Sequence, residues 1–140
     1  MTATRVLLVD DELSFSQALA KVLARRGFIV ATAASGEEAL ARLAARPWDV
    51  VLLDVKMPDR DGLAVLADIR TMPDPPEVIM LTGHLSRQEE EAGLSGGAFA
   101  YLLKPHPIPD LERHIRQAAR HRHLRRRQTT YPPSTEGGEP

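Results

Sequence analysis

Five polar residues stand where four apolar runs end. Val6-Leu7-Leu8-Val9 leads into Asp10-Asp11, and Val50-Val51-Leu52-Leu53 leads into Asp54. Val78-Ile79-Met80-Leu81 leads into Thr82, and Tyr101-Leu102-Leu103 leads into Lys104-Pro105. Together they supply three carboxylates, one hydroxyl and one ammonium. A carboxylate nucleophile can carry phosphate as a mixed anhydride. Phosphate beside three Asp side chains concentrates negative charge, so a hard cation must neutralise it. Mg2+ suits, because it needs only one or two carboxylates, takes substrate oxygens and keeps several waters. An ammonium offers the phosphoryl group a point charge, and a hydroxyl can donate to its oxygens. One Asp after a strand is commonly a helix cap; an adjacent pair facing a third is what points to chemistry.

These residues can meet only if the elements behind them bring them together. Short runs of Val, Ile and Leu read as buried parallel strands. Helical spacing follows each one. Phe15, Ala18, Leu19, Val22 and Leu23 mark a first helix that Gly27 stops, before a second strand over residues 28–32. Ser35 with Glu38 opens a second helix that ends before Pro47, and residues 48–53 form the third strand. Leu63, Leu66 and Ile69 carry a third helix after the turn-rich loop 57–62, and Pro75-Pro76 breaks the chain before the fourth strand. Ser86 with Glu89 opens a fourth helix, thin in apolar residues and followed by Gly93, Gly96 and Gly97. Residues 99–103 form the fifth strand; Ile108, Leu111, Ile115 and Ala118 or Ala119 mark the fifth helix, with Pro109 near its first turn. Five βα units predict a doubly wound α/β sandwich with the flavodoxin-like order 2-1-3-4-5. In that order the strand sequence reverses between strands 1 and 3, and the ligand crevice opens at their carboxyl ends.

The chain has 140 residues, of which 43% are hydrophobic, enough for one core. We expect a domain over residues 1–124 and a disordered tail over 125–140, where the core-forming pattern ends. The formal net charge of −1 argues against global attraction to nucleic acid or membrane. The arginines of 113–127 lie mostly off the apolar stripe, as a solvated face would, with no helix-turn-helix beside them. The absence of cysteine excludes disulfides and thiol chemistry. His114, His121 and His123 sit among these arginines and read as solvated rather than as zinc ligands. No signal-like stretch opens the sequence, so a cytoplasmic location is expected.

Four stretches, in order, carry a resemblance: Val-Leu-Leu-Val-Asp-Asp-Glu (6–12), Leu-Leu-Asp-Val-Lys-Met-Pro-Asp-Arg-Asp-Gly (52–62), Met-Leu-Thr-Gly-His (80–84) and Gly-Ala-Phe-Ala-Tyr-Leu-Leu-Lys-Pro (97–105). The sequence from residue 4 to about residue 123 resembles the receiver domain of two-component response regulators. The resemblance implies that Asp54 accepts a phosphoryl group from a histidine kinase or phosphotransfer protein. Asp10 and Asp11, with Asp54 and the backbone carbonyl of Lys56, would hold Mg2+. Thr82, Gly83 and Lys104 would meet the phosphoryl group, and Tyr101 would be the aromatic whose rotamer reports the state. The Lys104–Pro105 bond would be cis. Lys56 and His84 flank the pocket and are candidates for governing water access to the acyl phosphate.

The family pattern is broken at Ala100, at the proline-rich loop 106–109 and in the apolar-poor fourth helix. With no effector domain visible, output would pass to a partner protein, with a dimer through the fourth helix, fifth strand and fifth helix as one form. A fragment of a larger response regulator or hybrid kinase is the related alternative. From another class, a haloacid-dehalogenase-like phosphohydrolase also uses a strand-end Asp with Mg2+. It would need an acid two residues after Asp54, and position 56 is Lys.

Overall fold

A computed structural model describes residues 3–84 and 86–130. Five strands, β1 (Arg5–Val9), β2 (Ile29–Ala33), β3 (Val50–Leu53), β4 (Glu77–Thr82) and β5 (Ala100–Leu103), form one parallel sheet in the order β2-β1-β3-β4-β5. Helices α1 (Leu13–Arg25), α2 (Gly36–Ala45), α3 (Gly62–Arg70), α4 (Arg87–Ser95) and α5 (Ile108–Thr130) connect or follow them. The flavodoxin-like order expected from the alternating pattern is the one observed.

Alternation along the strands sorts the core into two layers, because successive side chains point to opposite faces. Leu7, Val9, Val51, Leu53, Val78 and Met80 face the layer containing Ala39, Leu43, Val65, Leu66 and Ile69 of α2 and α3. Val6, Leu8, Val50, Leu52, Ile79 and Leu81 face Leu19 and Leu23 of α1 and Leu111 and Ile115 of α5. Covered on both faces, β1, β3 and β4 are buried almost throughout.

Local chemistry sets the element ends. Gly27 adopts φ +96°, a conformation side chains resist, and turns the chain out of α1. The Ser35 hydroxyl accepts the Glu38 N–H at 3.1 Å, while Glu38 Oε1 accepts the Ala34 N–H at 2.8 Å. At α4 the Ser86 hydroxyl accepts the Glu89 N–H at 3.2 Å. Phe28, Trp48 and Phe99 were expected to begin strands; each lies just before its strand. The Phe28 N–H is taken by Leu23 O at the end of α1, whereas the Phe99 N–H already reaches Val78 O of the neighbouring β4.

The disordered tail expected from residue 125 does not begin there: α5 runs on to Thr130. Charge, rather than an apolar stripe, anchors its later turns. Arg122, expected on a solvated face, is only 2% exposed; its guanidinium is 3.0 Å from Asp49 Oδ1 and 3.1 Å from Asp74 Oδ2. Arg125 reaches Glu77 and the carbonyl of Pro75. The remainder of the expected tail, residues 131–140, lies outside the described residues. Among the described residues, no helix is long and apolar enough to cross a membrane.

Candidate functional site

Three of the site residues, Asp10, Asp54 and Lys104, leave the sheet while still tied to the neighbouring strand. The Asp10 N–H donates to Ala33 O, the Asp54 N–H to Val9 O and the Lys104 N–H to Thr82 O, at 2.8–3.0 Å. Backbone pairing therefore fixes where these side chains start, at the carboxyl edge of the sheet. Asp10, Asp11 and Asp54 converge there, with one carboxylate oxygen from each within 4.8 Å of the others. Asp10 and Asp54 are buried and Asp11 is exposed.

Lys104 spans the group. Its Nζ lies 2.7 Å from Asp10 Oδ2, 2.7 Å from Glu12 Oε1 and 3.6 Å from Asp54 Oδ2. It also rests over the Phe15 ring, 4.5 Å from the centroid. Burial disfavours the ammonium, but hydrogen bonds to Asp10 and Glu12 and the charge of Asp54 outweigh it and raise the Lys104 pKa. The lysine is a fixed cation. Burial likewise pushes the Asp54 carboxyl up; Lys104 opposes that shift, Asp10 adds to it, and the Thr82 hydroxyl and the Lys56 backbone N–H oppose it. Desolvation thus outweighs the one cation and two hydrogen-bond donors that favour the ionised form of Asp54.

The other expected residues surround this centre. Thr82 is buried, and its hydroxyl oxygen accepts the His84 N–H at 3.3 Å. The Lys56 and His84 side chains are exposed at the rim. A Cβ at Gly83 would meet only Lys104 Cε, at 3.6 Å, an ordinary contact, so packing within the chain does not demand glycine there. Tyr101 is half-buried, with its hydroxyl 3.5 Å from His84 O and its ring against Gly93 of α4. The Lys104–Pro105 bond is cis.

Three residues shape the site without having been singled out for it. Glu12 shares the Lys104 ammonium, and the signal for it was its place as the third acid in a row. Asp59 accepts the N–H groups of Gly36 and Glu37, at 3.0 and 2.9 Å, and so pins the β3–α3 loop to the start of α2. Gly62, read only as loop-shaping, packs so closely that a Cβ there would fall 2.1 Å from Asp54 O. Its N–H donates to Val55 O at 2.6 Å, folding the loop back beneath Asp54.

An acidic cluster beside a buried lysine on the rim of such a sheet is what one known family shares. The response regulator receiver domain family matches residues 6–116. The chain belongs to that family. Receiver-domain structures agree with it along nearly their whole length. A CheY-like receiver from Methanospirillum hungatei, 29% identical, has a TM-score of 0.82 and covers 89% of this chain and 99% of its own. The response regulator TrrA of Thermotoga maritima, described in complex with Mg2+-BeF, is 30% identical with a TM-score of 0.74, covering 82% of this chain and 98% of its own. Among curated relatives, the transcriptional regulatory protein PrrA of Mycobacterium bovis is 36% identical over 97% of this chain and 56% of its own length. The probable transcriptional regulator ycf27 of Guillardia theta is 41% identical over 85% of this chain and 46% of its own. This receiver thus spans about half the length of these regulators.

Proposed function

We propose that this receiver domain is a phosphorylation-dependent switch in which Asp54 takes a phosphoryl group from a histidine kinase or phosphotransfer protein. The observation that carries the reading is the pairing of a buried Asp54 with a buried Lys104 ammonium 3.6 Å away, beside Asp10 and Asp11. A carboxylate oxygen of Asp54 forms the new P–O bond as the P–N bond to the donor histidine breaks. The electron pair stays with the imidazole, which then takes up a proton. Charge on the incoming oxygens falls to Lys104, already held 3.6 Å from Asp54, and to the Thr82 hydroxyl.

The donor set fits a hard divalent cation: three carboxylates converge and no nitrogen or sulfur ligand competes among them. Asp10, Asp11 and Asp54, with the Lys56 carbonyl, would hold Mg2+. When bound it would neutralise charge on the carboxylates and on the phosphoryl oxygens. The hydrolase alternative lacks its second acid, since Lys56 occupies that position and is exposed.

For the switch, movement of Thr82 toward the phosphoryl group opens space for Tyr101, which changes the α4–β5–α5 face offered to a partner or second copy. Lys56 and His84 stand where they can control the approach of water to the acyl phosphate. The curated relatives' names assign transcriptional roles to proteins whose remaining length this chain does not cover. The downstream target of this face is accordingly proposed as a protein.

Titration with Mg2+ in the presence and absence of beryllofluoride tests the site. Tighter Mg2+ binding with the fluoride, weakened in Asp11→Asn, is the expected result. Identical binding in Asp11→Asn and wild type would remove the metal assignment.

A further inference from the structure

Outside the acidic pocket, a second group of metal-ligating side chains meets at the start of α5. His106 lies in the β5–α5 loop, Asp110 in the first turn of the helix and His114 one turn later. One imidazole nitrogen from each histidine and one oxygen of Asp110 lie within 4.8 Å of one another. All three residues are half-buried. His106 Nε2 is 2.5 Å from Asp110 Oδ2, and His114 Nδ1 is 3.4 Å from the same oxygen. The two rings stand edge to face with centroids 5.9 Å apart.

We infer that His106, Asp110 and His114 form a binding site for a borderline divalent transition ion of the Zn2+ class. Two imidazoles and one carboxylate suit such an ion, whereas Mg2+ prefers oxygen. Ligand atoms around a tetrahedral ion at about 2.0–2.1 Å stand roughly 3.3 Å apart. The His114–Asp110 spacing already meets that, and the His106–Asp110 contact has only to open by about 1 Å. The His106 Nε2 proton now points at Asp110 Oδ2 where the ion would sit, while His114 Nδ1 hydrogen-bonds the Asp110 backbone carbonyl at 2.9 Å and exchanges that bond for the ion.

Asp110 is kept anionic for this role. The His106 hydrogen bond, then that of Arg113, holds its carboxyl below the usual carboxylate range. Arg113 engages the opposite oxygen, Oδ1, and leaves Oδ2 to the histidines. Its positive charge opposes a second cation nearby, so the site has moderate affinity. Three protein ligands leave a fourth position for water. The ion joins the loop just after Lys104-Pro105 to the first two turns of α5. It therefore stabilises this face, independently of any phosphoryl group. Sequence spacing alone placed His114 with His121 and His123; the fold instead sends His121 to Glu77 and His123 toward Asp49, and pairs His114 with His106.

The test is competition for Zn2+ against a chromophoric chelator, with the whole chain and circular dichroism to confirm folding. His106→Gln and His114→Gln should each weaken one Zn2+ site at least about tenfold. Asp11→Asn, and a double His121→Gln/His123→Gln variant, should retain that site, and Arg113→Gln should tighten it. Zn2+ should also shift the ring 15N resonances of His106 and His114 together in the wild type. If both single histidine variants bind Zn2+ as the wild type does, or if binding is lost in Asp11→Asn instead, the assignment is wrong.

Discussion

Glu12 Oε1 and Asp10 Oδ2 each lie 2.7 Å from Lys104 Nζ, so the third acid of the Asp10-Asp11-Glu12 run shares the cation that faces Asp54. Glu12 is exposed where Asp10 is buried, and solvent screens the outer contact far more than the inner one. Lys104 pulls the Glu12 carboxyl below its usual range. Glu12→Gln should therefore lower the Lys104 pKa while leaving phosphorylation intact, whereas Asp10→Asn should impair phosphorylation. Lysine 15N titration and phosphorylation kinetics on both variants check this. Equal loss of phosphorylation in the two would mean that Glu12 has a larger part than positioning Lys104.

Gly62 makes the closest approach to the loop that carries Asp54. With 2.1 Å between a Cβ and Asp54 O, Gly62→Ala must shift backbone, and overpacking of this kind costs about 1–3 kcal/mol. Urea denaturation should show that loss together with slower phosphorylation. An alanine variant with wild-type stability would show that the loop is looser than its contacts imply.

Arg122 buries its guanidinium against Asp49 and Asp74. Removing one member of a buried pair leaves the other uncompensated, a loss of about 3–5 kcal/mol. Arg122→Met should approach the lower end of that range, because Asp49 still accepts the Arg5 N–H. Chemical denaturation gives the value; a change within measurement error would place Arg122 among solvated residues after all.

Asp59 links pH to the loop. Hydrogen bonds from the Gly36 and Glu37 N–H groups lower its pKa in the folded state. Its stabilising contribution is complete above the unfolded value of about 4 and is lost as pH falls through the lower folded value. Between about pH 5 and pH 3, wild type should lose more stability than Asp59→Asn. Parallel pH profiles for the two proteins would contradict the capping role.

The strand ends were legible because apolar runs stop abruptly at polar residues, and parallel pairing then forces those ends to one edge. The order 2-1-3-4-5 followed from the regular βα alternation. Contacts set by distant charge were not legible. Arg122 and Asp49 are 73 residues apart in sequence, and Glu12 and Lys104 are 92 apart. No local pattern distinguishes a buried arginine from its solvated neighbours on α5, which is why the helix outlasts the boundary expected at 124. Asp59 looked like a turn residue because its partners belong to the start of another helix.

In the switch proposed above, the α4–β5–α5 face responds through Tyr101, whose ring lies against Gly93, the one buried residue of α4. A helix held by so few apolar contacts opens easily, and a ligand shifts it only through differential affinity for the two states. Beryllofluoride with Mg2+ should slow hydrogen exchange across residues 84–104, and Thr82→Ala should blunt that change. Protection confined to the segments around Asp10, Asp11 and Asp54 would mean that the site binds the anion without passing the signal on.

Asp54 is the residue proposed to carry the phosphoryl group. Incubation with a small phosphoryl donor and Mg2+, reduction with borohydride and peptide mass spectrometry measures it directly, since an acyl phosphate is reduced to the alcohol. Homoserine at position 54 in the wild type, and no incorporation in Asp54→Asn, is the expected result. Homoserine at position 10 or 11, or phosphate stable on a Ser or Thr residue with Asp54 unmodified, would rule out Asp54 as the acceptor.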